Sequence, residues 1–481
     1  MSIRNTSNFL SDQVRYYAQV RSSNLSFLQF QASTGLKHSR SSDDPLAAQR
    51  LFSLKRTTNK LDSDKVVMDE TEHTLNLSVS NLTEAHQVTR AAQRIGLDAR
   101  QADPDELSVL ANEVDHLLGR LVSLGNSTDG GRYQYSGQTD KVIPFVKNPN
   151  GDLPPYIYNG SQRSFEVDVS ENVRIESLKN GSEVFGSTNR ATSVYIGSTG
   201  AKPGPGTDNA ADQGTLQVTH TATNYIGGSG VAAGTDSAAR DTIIGAVGTH
   251  NLTIVDQSGT GTSGTIQLNG GLEYPWNASD VNLRIEGPTG EVVYVDTQNI
   301  TAGFNGDIDL TADGTISTDG GSTTTPIDFS NNQIISNSTD QTVTNVDSSE
   351  ITRVGTESIE YQGTSDLFSA LVQLRDDLRN TRGLVGDEWD EAIIRRDGDI
   401  ERHATQILDV VGEQSVSLES IVALRDRNRA YNLEVSQIID DVENADLTDV
   451  VLQLQQEQNL LEYTYATSST ILSQNILDYL R

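Results

Sequence analysis

The sequence contains no cysteine. That excludes disulfides, thiolate metal sites and a cysteine nucleophile. Positive charge is scarce: 35 Lys and Arg stand against 66 Asp and Glu, a formal net charge of -31. Nucleic acid is therefore disfavoured as a partner, and an anionic membrane would repel the surface. The plain reading of the acidity is solubility, as suits a saline habitat. Long apolar runs are absent as well. None approaches the ~18 to 20 residues of a membrane span, so no membrane insertion is expected. Met1 to Leu10 has no apolar h-region, and a Sec signal peptide is not expected. The expected protein is cytoplasmic or leaves the cell by a route that needs no cleaved signal.

Constellations that carry chemistry are missing too. His38, His73, His86, His116, His220, His250 and His403 are dispersed and form no ligand spacing such as His-Glu-x-x-His. Gly259 to Gly264 lacks the Gly-Lys-Ser/Thr ending of a phosphate loop and reads as a hairpin turn. No Gly-x-Ser-x-Gly elbow is present. Asp43 and Asp44 before Pro45 read as N-cap acids rather than metal ligands. Asn126-Ser127-Thr128 matches a glycosylation sequon, but without a secretory signal it reads as a turn. The expectation is no enzyme, no catalytic residue, no cofactor and no metal.

What the chain does have is architecture. With 481 residues it is too long for one compact core. Both ends are helical in pattern and the middle, from Pro144 to about Glu350, is rich in Gly, Thr, Ser, Asn and Asp. Leu107, Leu110, Val114, Leu117, Leu121 and Leu124 step by three and four, and Met68, Thr71, Leu75, Ser78, Leu82, Ala85, Thr89 and Ala92 do the same with smaller residues. Ile393, Ile400, Ile407, Gln414, Ile421, Asn428, Val435 and Val442 recur every seven residues. The polar members Gln414 and Asn428 are of the type that fixes register at some loss of stability. Asp103-Pro104, Ser365-Asp366 and Ala445-Asp446 read as helix starts.

The middle reads as strands: Phe165, Val167 and Val169 alternate with acids, and short runs at 252–255, 266–268, 281–285, 292–295 and 308–310 are bounded by turn residues. Between Lys202 and Arg353 the only basic residues are Arg240 and Arg284. The Lys-Pro-Gly-Pro-Gly stretch within 197–209 marks a place where two β subdomains would divide. The expected fold is α+β and multidomain. An N-terminal helical arm (1–147) and a C-terminal helical arm (351–481) pair in a coiled-coil-like rod around an inserted, acidic, mostly-β domain (148–350). The rod core is expected on Leu107, Leu110, Val114, Leu117, Leu121, Ile400, Ile407 and Ile421. The outermost stripes, Leu10, Val14, Tyr17 and Leu28 at one end and Val450, Leu454, Leu461, Tyr465 and Leu472 at the other, are either core helices or faces that bury against other copies. A long helix with a narrow stripe has too little area to stay folded alone.

Several of these stretches resemble the flagellin and hook-associated protein 3 superfamily. Met-Ser-Ile-Arg-Asn-Thr at the start, Ser33-Thr34-Gly35 and Ser42-Asp43-Asp44-Pro45 resemble elements shared by flagellins and hook–filament junction proteins. Asn126-Ser-Thr-Asp129-Gly130-Gly-Arg132-Tyr133-Gln-Tyr-Ser-Gly137, followed by Pro144-Phe145, resembles the junction-protein branch. Asn444 to Thr448 and the Gln-rich final helix are similar to that family's C-terminus. The likeness covers about the first 147 and last 120 residues; the middle is longer than the typical insert.

The resemblance implies a non-enzymatic axial protein outside the cell. It would be exported unfolded through the flagellar type III apparatus with a cytoplasmic export chaperone. Its terminal helices would form an inner tube only on assembly, in a ring of copies of itself. The adjoining helices would form an outer layer and the insert would project. The implied partners are hook-associated protein 1 and flagellin, and the implied need is filament assembly and motility. The axial contacts are expected on Leu10, Val14, Tyr17, Val450, Leu454, Leu461, Tyr465 and Leu472. Two other readings stand beside this one. One is flagellin itself, the filament subunit. The other is a secreted helical-rod protein whose acidic insert binds a glycan or surface.

Overall fold

The computed structural model describes residues 2–149, 153–245 and 248–479. In the first helix side chains are described for residue 9 and from 12 onward, and in the last helix up to 470. The helices are α1 (Ser2–Thr34), α2 (Pro45–Ala99), α3 (Pro104–Gly125), α4 (Gly181–Phe185), α5 (Ser237–Arg240), α6 (Leu367–Leu378), α7 (Asp387–Glu443) and α8 (Leu447–Tyr479). Strands lie between Thr128 and Glu360, so the fold is two helical arms and a large, mostly-β insert. The chain divides into two units, residues 1–77 with 166–177 and 414–481, and residues 78–165 with 178–413. The long helices α2 and α7 each contribute to both.

In the first unit α1 and α8 run antiparallel, and Arg21 reaches Glu457 at 2.8 Å. Gly35, at φ +72°, ends α1 in the left-handed conformation that favours glycine. The breaks at either end of this pair are tied together. Leu36 bridges Asn444, the Lys37 N–H donates to the Glu443 carbonyl at 2.9 Å, and Ala445 N–H donates to the Gly35 carbonyl at 2.7 Å. Asp44 caps α2, accepting from the N–H groups of Leu46 and Ala47 at 3.0 and 2.9 Å, and Asp446 caps α8 through the Thr448 N–H at 2.9 Å. Met68, Leu75 and Ile421 join Val169 in one small core, beneath the hairpin Phe165–Ser170 and Val173–Leu178.

In the second unit the rest of α2 and α7 packs with α3 and α6 around Leu82, Ala85, Leu121, Leu371, Ile393, Ile400 and Ile407. Every member of the small-residue stripe from Met68 to Ala92 is buried, and so is each heptad position of α7 from Ile393 to Val435. α3 differs from its expected face by a small rotation. Its most buried stripe is Ala111, Val114, Leu118, Leu121 and Gly125, while Leu107, Leu110, Leu117 and Leu124 are half-buried on the flank. The reason is size. A Cβ on Gly125 would stand 2.9 Å from the Phe145 ring, so the absent side chain admits a large neighbour.

The insert is built on one eight-stranded sheet. Its order is Tyr274–Asn277, Ser263–Leu268, Asn251–Asp256, Asn305–Ser317, Gln213–Ile226, Gly355–Glu360 and Val194–Ile196, with Thr325–Pro326 added at Asn305–Ser317. Two cores lie along it. Leu252, Ile254, Ile266, Trp276, Val293 and Leu310 fill one, and Leu216, Val218, Ile316, Ile335, Val346 and Ile359 fill the other. Two β subdomains are therefore present, but their boundary is not the 197–209 loop. It runs across the two longest strands, which serve both cores. At that place the register shifts, with Asp313 opposite Ala222 and Gly314 opposite His220. Thr221 is the extra residue of a bulge, and the inward positions change from Leu216 and Val218 to Thr223 and Tyr225.

Candidate assembly surfaces

The Asn126–Gly137 stretch forms a tight hairpin. Thr128 pairs with Tyr133 and Asp129 with Arg132 across Gly130 and Gly131, both at positive φ, which is the I′ geometry of a two-residue turn. Asn126 leaves α3 and clamps the next strand. Its Nδ2 donates to the Phe145 carbonyl and its Oδ1 accepts from the Phe145 N–H, both at 2.9 Å. Asn81 Nδ2 on α2 donates to Gln134 Oε1 at 2.7 Å, and Ser127 donates to the same oxygen at 3.0 Å. Arg132 lies 3.5 Å from Asp140. Tyr135 is fully buried, and the Tyr158 hydroxyl donates to its carbonyl at 2.9 Å. Around this knot Phe145, Phe185 and Phe368 stack edge to face or tilted, with ring centroids 4.8 to 5.7 Å apart. The stretch is thus an internal joint of α2, α3, α4 and α6, with Gly130, Gly131 and Arg132 exposed at its tip. Asp43 holds the turn before α2. Ser39 and the Arg40 N–H donate to its carboxylate, each at 2.9 Å, and these bonds hold that carboxyl below its ordinary range.

The terminal helices present two faces each. Val14, Ala18, Arg21, Leu25 and Leu28 of α1, and Val450, Leu454, Glu457, Leu461, Thr464 and Ser468 of α8, are the least exposed positions and share one side of each helix. Of the eight expected axial residues, Val14, Val450, Leu454 and Leu461 thus lie within the pair, while Tyr17 and Tyr465 are exposed. The side chains of Leu10 and Leu472 lie outside the described residues. A second set was not anticipated from the sequence. Phe9, Tyr16, Val20 and Phe27 on α1, and Leu452, Leu460 and Tyr463 on α8, are large, apolar and exposed. Phe9 is 68 % and Tyr463 70 % accessible, values that a folded chain on its own rarely leaves on such residues in rows. The signal was in the sequence, since Phe9, Tyr16, Val20 and Phe27 step by seven, four and seven.

A buried ionic cluster joins the insert to the C-terminal helices. Glu360, on the last strand of the sheet, meets Arg382 at 2.7 Å, Arg395 at 2.8 Å and Arg396 at 2.5 Å. Arg382 also binds Asp377 at 2.6 Å, and Arg396 binds Asp399 at 2.8 Å. Burial alone would raise the Glu360 pKa, but the three guanidiniums hold it below its ordinary value. Nearby, burial pushes Asp366, the N-cap of α6, up to about 7 and the His403 imidazole down to about 4. These are partners hundreds of residues from any common motif, and no spacing in the sequence points to them. Among the described residues no group of His, Cys, Asp and Glu is arranged to hold a metal ion, and no helix is long and apolar enough to cross a membrane.

No family model matches the chain, and no curated protein does. Solved structures do resemble it. The flagellar junction protein FlgL from Legionella pneumophila aligns at 15 % identity and a TM-score of 0.43, over 82 % of this chain and 100 % of that one. FlgL from Xanthomonas campestris aligns at 16 % identity and 0.38, over 79 % and 98 %. FlgL from Bacillus cereus aligns at 23 % identity and 0.20, over 30 % and 66 %. At such identities and scores, function has to be argued from this chain's own residues.

Proposed function

We propose that this chain is a non-enzymatic structural subunit of the bacterial flagellum, placed at the hook–filament junction between hook-associated protein 1 and the first flagellin subunits. The observation that carries the reading is the terminal helix pair. It joins the two chain ends and leaves rows of aromatic and aliphatic side chains outward, the surface a subunit buries against its neighbours. The Asn126–Gly137 hairpin, the stretch that resembles the junction branch, favours a junction subunit over a filament subunit. The acidic insert is accessory in this reading. Export would follow the flagellar type III route without a cleaved signal, with a cytoplasmic chaperone covering the apolar ends.

The test is electron microscopy of cells lacking the protein, with flagellin measured in the medium. Bare hooks with shed flagellin are expected. Hooks with no shed flagellin would identify the filament subunit instead, and unchanged filaments would overturn both.

A further inference from the structure

The exposed rows on α1 and α8 have a geometry of their own. On α1, Phe9, Tyr16, Val20 and Phe27 lie on the side away from α8, because their spacing sets them about half a turn from Val14, Ala18, Arg21 and Leu25. On α8, Leu452, Asn459, Tyr463 and Thr470 step by the same seven, four and seven, and are exposed on the side away from α1. The Arg21–Glu457 contact sets the level of one helix against the other. Counting from it, Phe27 stands level with Leu452, Val20 with Asn459, Tyr16 with Tyr463 and Phe9 with Thr470, each to within a residue, or about 1.5 Å. The two outer rows thus match in period, direction and height.

Charge matches as well. α1 carries Arg4, Arg15 and Arg21 against a single Asp12, whereas α8 carries Asp449, Glu457, Glu462 and Asp478 and no base. Arg15 and Glu462 are exposed, have no ion pair among the described residues, and stand at the level of the tyrosines.

We infer that the partner of each outer row is a second copy of this chain, with the outer face of α1 in one copy docking on the outer face of α8 in the next. It rests on the assembly role proposed above and adds to it the face, the register and the direction. Two helix pairs set side by side in the same orientation place Phe27 on Leu452 and Tyr16 beside Tyr463, with Arg15 at the height of Glu462. The contact is heterologous, since each copy keeps one α1 face and one α8 face for different neighbours. It therefore propagates into a ring or a helical array rather than stopping at a dimer.

Because the chain has no cysteine, introduced thiols report this contact alone. Tyr16→Cys with Tyr463→Cys cannot close within one chain. Two helices about 9 Å apart put outer Cα atoms roughly 13 Å apart, beyond disulfide reach. Oxidising the concentrated purified full chain is expected to give a ladder of multimers from the double variant and none from either single variant. Val14→Cys with Thr464→Cys, on the inner faces, is expected to close within the chain and shows that the pair is folded. Arg15→Glu is expected to lower the ladder yield severalfold, and Glu462→Arg in the same chain to restore it. A double variant that stays monomeric while the inner pair closes would overturn the inference. So would a dimer from Tyr16→Cys alone, which signals a two-fold contact, or adducts only to a different protein from cells. The flagellar role is judged separately, by whether the wild-type chain restores filaments to cells lacking it.

Discussion

Gly137 ends the signature hairpin at φ +62°, and a Cβ there would stand 2.5 Å from the Arg163 carbonyl and 2.6 Å from that of Ser161. Both obstacles are backbone atoms, which cannot rotate away. Gly137→Ala therefore combines left-handed strain with a fixed clash, and a loss of about 3 kcal/mol is expected in urea unfolding. Asp366 makes a different point. Its carboxylate accepts from the Ser369 N–H at 2.6 Å, as an N-cap should, yet burial raises its pKa from 3.8 to about 7. Asp212 nearby raises it further. A carboxyl with a folded pKa above its unfolded value binds its proton more tightly in the native state. Its contribution is full below about 4 and is lost as pH rises through about 7. His403 works with the opposite sign. It is held neutral with a pKa near 4, so its contribution grows as pH rises from there to about 6.5. Asp366→Asn keeps the cap oxygen and removes one titration. Relative to wild type it should gain stability steadily between pH 5 and pH 8, by up to about 4 kcal/mol, when unfolding midpoints are measured at both.

Long helices wrote themselves most plainly into the sequence. The seven-residue repeat of α7 was legible because a heptad must carry its inward residue at fixed intervals whatever the neighbours are. Gln414 and Asn428 interrupt that repeat unequally. Asn428 Nδ2 donates to the Leu61 carbonyl at 3.1 Å, whereas Gln414 is buried with neither amide atom bonded. Gln414→Leu is therefore expected to raise stability by about 1–3 kcal/mol, and Asn428→Leu to gain roughly 1 kcal/mol less, since it gives up a bond. Equal gains would mean that the Leu61 bond contributes nothing. The exact face of α3 was less legible, because Ala111 and Gly125 contribute through close approach and look like neutral spacers in a stripe of leucines. Gln213–Ile226 was not anticipated at all. It is mostly Thr, Gln, Asn and His, and the bulge at Thr221 switches its inward parity half-way, so no single alternation runs through it. Of the expected axial residues, Val14 and Leu461 lie on the periodic inner stripe. The outer row was hidden because one helix carried two stripes, and the first accounted for the periodicity.

Glu360 raises the question of whether the insert is a passenger. The last strand of its sheet delivers one carboxylate to three arginines of the α6–α7 region, and all four groups are buried or nearly so. Surface pairs of that kind contribute little, but breaking a buried one strands the remaining charges at a cost of about 3–5 kcal/mol. The charges stranded by Glu360→Gln belong to the helices, while the strand itself keeps its pairing with Gln213–Ile226. The penalty therefore falls unequally on two cores that each hold one of the chain's two tryptophans. Trp276 is buried in the sheet core, and Trp389 packs on the helical core, with its Nε1 donating to the Asp377 carbonyl at 2.8 Å. In Trp276→Phe and Trp389→Phe backgrounds the remaining fluorescence reports one core at a time. Glu360→Gln is expected to move the urea midpoint reported by Trp389 well below that reported by Trp276, parting transitions that the intact cluster holds closer together. Equal shifts would mean that sheet and helices unfold as one body. No shift would mean that water enters and screens the arginines, leaving the insert a passenger after all.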